Sequence, residues 1–152
     1  MDFFLVRHGE AKPEYEDPRR PLTGRGRREV EKVARALRKK NVAVAEVLHS
    51  GKLRAKQTAE IMARFLSPAR GARETTGLAP EDDPALAKAE LKAAGASVML
   101  VGHLPHLGRL AALLVTGDSE RSVVEFPPAS VACLSGAEDG WKLAWSLSPD
   151  ML

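Results

Sequence analysis

One cysteine in 152 residues, Cys133, leaves no intramolecular disulfide framework and no cysteine cluster to hold a metal. It sits in SVACLSG, an apolar run that reads as a strand, so its expected place is the core. Long apolar runs are missing as well: none approaches the roughly 20 residues that a membrane-spanning helix needs. The N-terminus lacks the basic start and small-residue cleavage site of a secretory signal, which predicts a cytoplasmic protein. Charge of one sign is also scarce. Twenty-three Lys and Arg against 20 Asp and Glu leave a net +3, too little for a general nucleic-acid coat. The chain carries no internal repeat, low-complexity segment or linker, and 44% hydrophobic with 28% charged residues is ordinary globular composition. One domain over residues 1–152 is expected.

What is present is an alternation of strands and helices. Residues 3–6 form a continuous apolar stretch suited to a strand buried on both faces. After a loop kept irregular by Pro13, Pro18 and Pro21, Thr23 can cap a helix to about residue 40, with Val30, Val33, Ala34 and Leu37 at helical spacing. Residues 44–48 read as a strand, and Ser50 as the cap of a helix over 52–66. A short strand fits at 73–76 among Pro68, Gly71, Gly77 and Pro80. A helix over 86–94, a buried strand over 97–101 and a helix over 106–115 follow. Strands at 130–135 and 141–146 close the chain around an AEDG turn. The pattern predicts an α/β fold, a three-layer α/β/α sandwich whose largely parallel sheet has an antiparallel edge.

Ligands in such sheets bind beyond the carboxyl ends of the strands, and three of those ends carry matching chemistry. LVRHGEAKP finishes a strand in Arg7, His8 and Gly9, where the glycine would leave room for a bound group. VMLVGHLPHLG repeats the pattern at Gly102 and His103. VLHSGKLRAKQTA turns from His49 through Ser50 into a helix, placing Arg54 at its first turn, where unpaired backbone donors attract anions. Two arginines, two histidines and a helix start suit a tetrahedral phosphoryl group, with one histidine free to act as nucleophile. Nearby arginines would lower that imidazole's pKa and keep its attacking nitrogen unprotonated.

The segments VRHGE, RPLT, HSGKLRAKQTA and VGHLP together resemble the histidine phosphatase superfamily, with the phosphoglycerate mutase-like fold. Over essentially the whole chain the length, RRPLTGRG and HLPHLG are most similar to its SixA-type phosphohistidine phosphatase branch. The resemblance implies that His8 is transiently phosphorylated, that Arg7, Arg54 and His103 hold the phosphoryl oxygens, and that Arg20 is a further phosphate-binding residue. It implies no metal and no cofactor. One departure stands out, because the family's SPxxRAxQTA segment has Ser50-Gly51 here in place of Ser-Pro.

Other residues have plainer readings. Arg25, Arg27 and Arg28 read as a solvated helix face, while Lys12 and Arg19 could rim the pocket. His106 reads as a helix-start or rim residue and His49 as a local structural one. His103 and His106 are three apart, but with Pro105 between them and no third ligand a shared metal is disfavoured. Trp141 and Trp145 read as packing. Glu10 could orient an arginine or face water. Many members of the superfamily protonate the leaving group with an acid, for which Glu81, Asp82 and Asp83 are candidates; SixA-type proteins lack an obvious one. Between Arg54 and His103 little chain is left for a lid. The expected function is therefore a metal-independent phosphatase, a monomer, acting on phosphohistidine displayed by a protein partner. The alternatives are a small-molecule phosphomonoester phosphatase and a noncatalytic phosphate-binding module.

Overall fold

Phe3, Phe4, Leu5 and Val6 are all buried in the first strand, β1 (Asp2–Arg7), so both of its faces must be covered. A computed structural model describes residues 1–152, the side chain of Ala137 excepted. In it helices α1 (Gly24–Lys39) and α2 (Leu53–Leu66) cover one face of a sheet, and α3 (Pro84–Ala93) and α4 (His106–Thr116) cover the other. The six strands run in the order β3 (Ala72–Glu74), β2 (Glu46–His49), β4 (Val98–Gly102), β1, β5 (Val131–Ala137), β6 (Gly140–Leu147). The first four are mutually parallel, β5 is antiparallel to β1, and β6 to β5. This is the expected α/β/α sandwich with an antiparallel edge. No helix of the described residues is long and apolar enough to cross a membrane.

Alternation along the strands divides the core in two. Phe4 and Val6 of β1, with Met99, Val101, Val131 and Cys133, face α1 and α2. Phe3 and Leu5, with Val98, Leu100, Ala132 and Leu134, face α3 and α4. Trp141 and Trp145 lie four residues apart on β6 and would share a face of a regular strand. A bulge opposite Cys133 and Leu134 shifts the register, so Trp145 packs by Phe4 (ring centroids 6.1 Å apart) and Trp141 by Phe3 (5.2 Å). Each tryptophan thus seals a different face of the sheet at its antiparallel edge, which is the packing role expected of both.

Local chemistry explains most helix ends. Thr23 caps α1 by accepting from the Gly26 N–H at 2.9 Å, and Asp83 caps α3 by accepting from the Ala85 N–H, with Pro84 at the first helical position. The helix α2 departs from expectation. Its cap residue is Lys52, which makes no side-chain cap bond, and not Ser50. Gly51, at φ +90°, inserts a turn between Ser50 and the helix and donates its N–H to His49 Nδ1 at 3.0 Å. The serine hydroxyl is thereby turned away from the helix start, with a long 3.4 Å contact to the Lys52 N–H left behind.

The loop after β1 is pressed against α1. A Cβ on Gly9 would lie 2.7 Å from Val30 Cγ2 and 3.0 Å from the Gly26 carbonyl oxygen, and one on Gly26 would lie 2.1 Å from the Glu10 carbonyl oxygen. Gly9 therefore makes room for the helix rather than for a bound group, which corrects the expectation from the sequence. Gly26→Ala must push backbone against backbone. We expect it to cost about 1–3 kcal/mol of stability, seen as a lower urea midpoint at unchanged slope; an unaltered midpoint would show that the loop yields freely.

Candidate active site

Strand register brings the two histidines together. Arg7 is the partner of Gly102 across the parallel pair β1 and β4, so His8 and His103 leave adjacent strand ends side by side, their ring centroids 5.0 Å apart. The backbone here is tied on both sides. His8 N–H donates to the Gly102 carbonyl at 3.1 Å, the Arg7 N–H to the Ser130 carbonyl at 3.1 Å, and the Ala129 N–H to the His8 carbonyl at 3.2 Å. Arg7 Nη1 donates to the Phe126 carbonyl at 2.8 Å, which fixes the guanidinium from the side of the segment that precedes β5.

The His8 ring has one defined tautomer. Its Nδ1 lies 2.7 Å from the Gly9 carbonyl oxygen, which can only accept, so Nδ1 carries the proton and Nε2 keeps its lone pair. Burial pushes the His8 pKa down to about 4, against the bond to Gly9, with the positive charges of Arg54, Arg7 and Arg20 adding to the fall. Burial takes His103 down to about 3, helped by His8, Arg54, Lys52 and His106. Both rings are neutral near pH 7. Burial also lowers the Arg7 and Arg54 pKa values, from so high a start that both stay charged. The charges that act most strongly on His8 are all arginines, and those on His103 are Arg54, Lys52 and the two neighbouring histidines. The result is a positive pocket around an unprotonated nitrogen, suited to a tetrahedral oxyanion.

Arg20 joins this group. It lies in the left-handed region at φ +48°, its Nε donates to the Lys12 carbonyl at 3.0 Å, and its charge acts on both His8 and Arg54. Its neighbour Arg19 does not: it is exposed and paired with Asp17. Glu10 turns from the pocket, accepting from the Thr23 hydroxyl at 2.8 Å near Arg25, and so serves the start of α1. Asp82 accepts from the Ala79 N–H and Asp83 caps α3, while Glu81 is exposed. His106 is a helix-start residue but not a rim residue, being fully buried, and since α4 begins with it, His103 lies outside that helix.

Several contributors carried no readable role in the sequence. Thr58 Oγ1 accepts from the Gly9 N–H at 3.1 Å, and Gln57 Oε1 from the Leu22 N–H at 2.8 Å, so α2 stitches the loops that carry His8 and Arg20 to its own Arg54. The spacing of Arg54, Gln57 and Thr58, three and four apart on one helix face, is the signal that could have revealed this. Phe126 and Ala129 had none, because their part is played by backbone. Ser50 Oγ lies 2.6 Å from His103 Nε2, a contact between segments far apart in sequence.

Comparison with known proteins agrees with this geometry. The family profile described as Histidine phosphatase superfamily (branch 1) matches residues 3–79. The Phosphohistidine phosphatase SixA of Escherichia coli (strain K12) is 34% identical over 155 residues, covering 98% of this chain and 94% of its own. An uncharacterized protein of Picosynechococcus sp. (strain ATCC 27264 / PCC 7002 / PR-6) is 36% identical over 127 residues, 78% of this chain and 76% of its own. The solved structure of the protein histidine phosphatase SixA complexed with tungstate superposes with a TM-score of 0.88 at 32% identity, covering 99% of both chains.

The depressed histidines have a measurable sign. A histidine whose folded pKa lies below 6.5 binds fewer protons folded than unfolded, so stability is lost as pH falls from about 6.5, toward about 4 for His8 and about 3 for His103. We expect the carbon-bound ring protons of both to hold their neutral chemical shifts between pH 8 and about 5.5 in a proton NMR titration. Ordinary midpoints near 6.5 would contradict the burial and charge described.

Proposed function

This chain belongs to the histidine phosphatase superfamily, and from that premise we propose that residues 1–152 act as one metal-independent phosphatase domain working through a phosphohistidine at His8. His8 Nε2 is the nucleophile. Its lone pair attacks phosphorus in line, the N–P bond forms as the bond to the leaving group breaks, and Arg7, Arg54, His103 and Arg20 hold the equatorial oxygens. Water then attacks phosphorus, an O–P bond forms as the N–P bond breaks and its electron pair returns to Nε2, and inorganic phosphate leaves, the water's proton passing to solvent. The Gly9 carbonyl, by holding the Nδ1 proton, stabilises the positive charge that the ring gains while phosphorylated.

The observation that carries the choice of substrate is the missing acid. None of the three candidate acids is seen to bond a pocket residue: Asp82 holds the Ala79 amide, Asp83 caps α3 and Glu81 is exposed, while the charges that act most on His8 are arginines. An alkoxide leaving group needs a proton donor, whereas a phosphorylated imidazole departs more readily without one. A phosphohistidine on a protein partner, reaching the pocket past exposed Lys12 and Arg19, fits this site best. The relative from Escherichia coli is a phosphohistidine phosphatase, and tungstate, bound by a SixA structure, is a tetrahedral oxyanion like phosphate. A monomer working in the cytoplasm accords with this reading.

Phosphate release from a phosphohistidine-bearing protein and from small phosphomonoesters tests it. We expect the protein substrate to be preferred at least about tenfold in kcat/KM, and His8→Ala to lower turnover on the order of 10³-fold or more. Preference for the monoesters would overturn the substrate assignment. Hydrolysis undiminished in His8→Ala would overturn the nucleophile, and phosphate binding without hydrolysis by either form would identify a binding module.

A further inference from the structure

We propose that Ser50 is a positioning residue for His103, aimed by the turn that His49 and Gly51 build; the proposal rests on the reading of His103 as a phosphoryl-holding group. The Ser50 hydroxyl stands 2.6 Å from His103 Nε2. The other ring nitrogen, Nδ1, is buried with no hydrogen-bond partner among the described residues. Among the described residues Ser50 is therefore the one side chain hydrogen-bonded to this imidazole, which is itself only 2% exposed.

A neutral imidazole has two tautomers, and only its protonated nitrogen can donate to a phosphoryl oxygen. A hydroxyl that donates to Nε2 leaves the proton on Nδ1; a hydroxyl that accepts from Nε2 leaves Nδ1 bare. The Ser50 bond thus couples ring orientation to the face that His103 offers a ligand. With Nδ1 buried, a ligand can meet only Nε2, so the hydroxyl serves as acceptor from the Nε2–H and its bond favours that one tautomer.

The turn before α2 is shaped for this task rather than for capping. At φ +90° Gly51 occupies a region that side chains avoid, and a Cβ there would meet the Glu74 carboxyl group at 2.5–2.8 Å. The Gly51 N–H is taken by His49 Nδ1. A proline, usual at this point of the family segment, has neither that φ nor an N–H to give. In this chain His49 and Gly51 replace proline's stiffness with a hydrogen-bonded turn, and His49 acquires the local structural role that the sequence suggested.

Ser50→Ala and Ser50→Thr in the full chain test the proposal, using a phosphohistidine-bearing protein as substrate and long-range ¹H–¹⁵N spectra of the histidine rings. We expect Ser50→Ala to lower kcat about tenfold, to leave KM within about twofold, and to replace a single His103 tautomer by a mixture. Ser50→Thr, which keeps the hydroxyl, should restore both. A wild-type enzyme that turns over while Ser50→Ala matches it in kcat and in His103 signals would overturn the proposal. So would a loss that threonine fails to restore with the His103 signals unchanged, because that would be packing. If the wild type hydrolyses nothing, the functional reading fails by itself, and a tautomer change in Ser50→Ala still upholds the positioning.

Discussion

The pairing of Arg7 with Gly102 across two parallel strands is the constraint on which the site depends. It sets two histidine-bearing ends level, so that the rings of His8 and His103 meet without help from a long loop. Side chains alternate between faces, and a slip of one residue would send one histidine toward the opposite layer of helices. The slip is opposed by everything beneath it, since Phe4 and Val6 face α1 and α2 while Phe3 and Leu5 face α3 and α4. Core packing and the placement of the His8 ring are in that sense one requirement. Burial of four consecutive β1 residues keeps His8 beside its partner.

On that rigid edge the protein assembles like charges without a counterion. Arg7, Arg54 and Arg20 all act on His8, and the nearby acids are directed elsewhere: Glu10 to Thr23, Asp82 to a loop amide, Asp83 to the start of α3. Half-buried cations that repel one another destabilise the empty pocket, and a bound oxyanion relieves that cost. The same field depresses the imidazole pKa values, so charge that favours an anionic ligand also keeps the His8 ring unprotonated. Affinity for an oxyanion and neutrality of the rings share that electrostatic cause. Neutrality of both rings follows chiefly from burial, with Arg54, Arg7 and Arg20 adding to it at His8, and His8 ahead of Arg54 at His103.

Much of this was legible in order along the chain. Apolar runs marked β1 and β4, helical spacing of Val30, Val33, Ala34 and Leu37 marked α1, and the residues just past the strand ends marked the pocket. Ser50 was misread because capping is the commonest use of a serine before a helix, and only the positive φ of Gly51 shows that the chain turns once more first. Gly9 was misread for a related reason. A glycine beside a reactive histidine suggests space for a ligand, yet the atoms that exclude its Cβ belong to Val30 and Gly26, helix residues brought in by folding. His106, unremarkable at a helix start, is fully buried because α4 lies against the sheet.

By itself the sequence determined the order of elements, the layers and the identity of the residues at the carboxyl edge, because periodicity and residue type act locally. It also determined the chemistry on offer: one cysteine, no cysteine cluster for a metal, and arginines and histidines at strand ends. Tertiary structure alone decided which of those groups meet and in what protonation state. The His8 tautomer depends on the direction of the Gly9 carbonyl, Arg7 is held by the carbonyl of Phe126, and Ser50 reaches a ring 53 positions away. Such relations depend on backbone direction and on contacts remote in sequence, which residue identities leave open until strand pairing and helix packing close them.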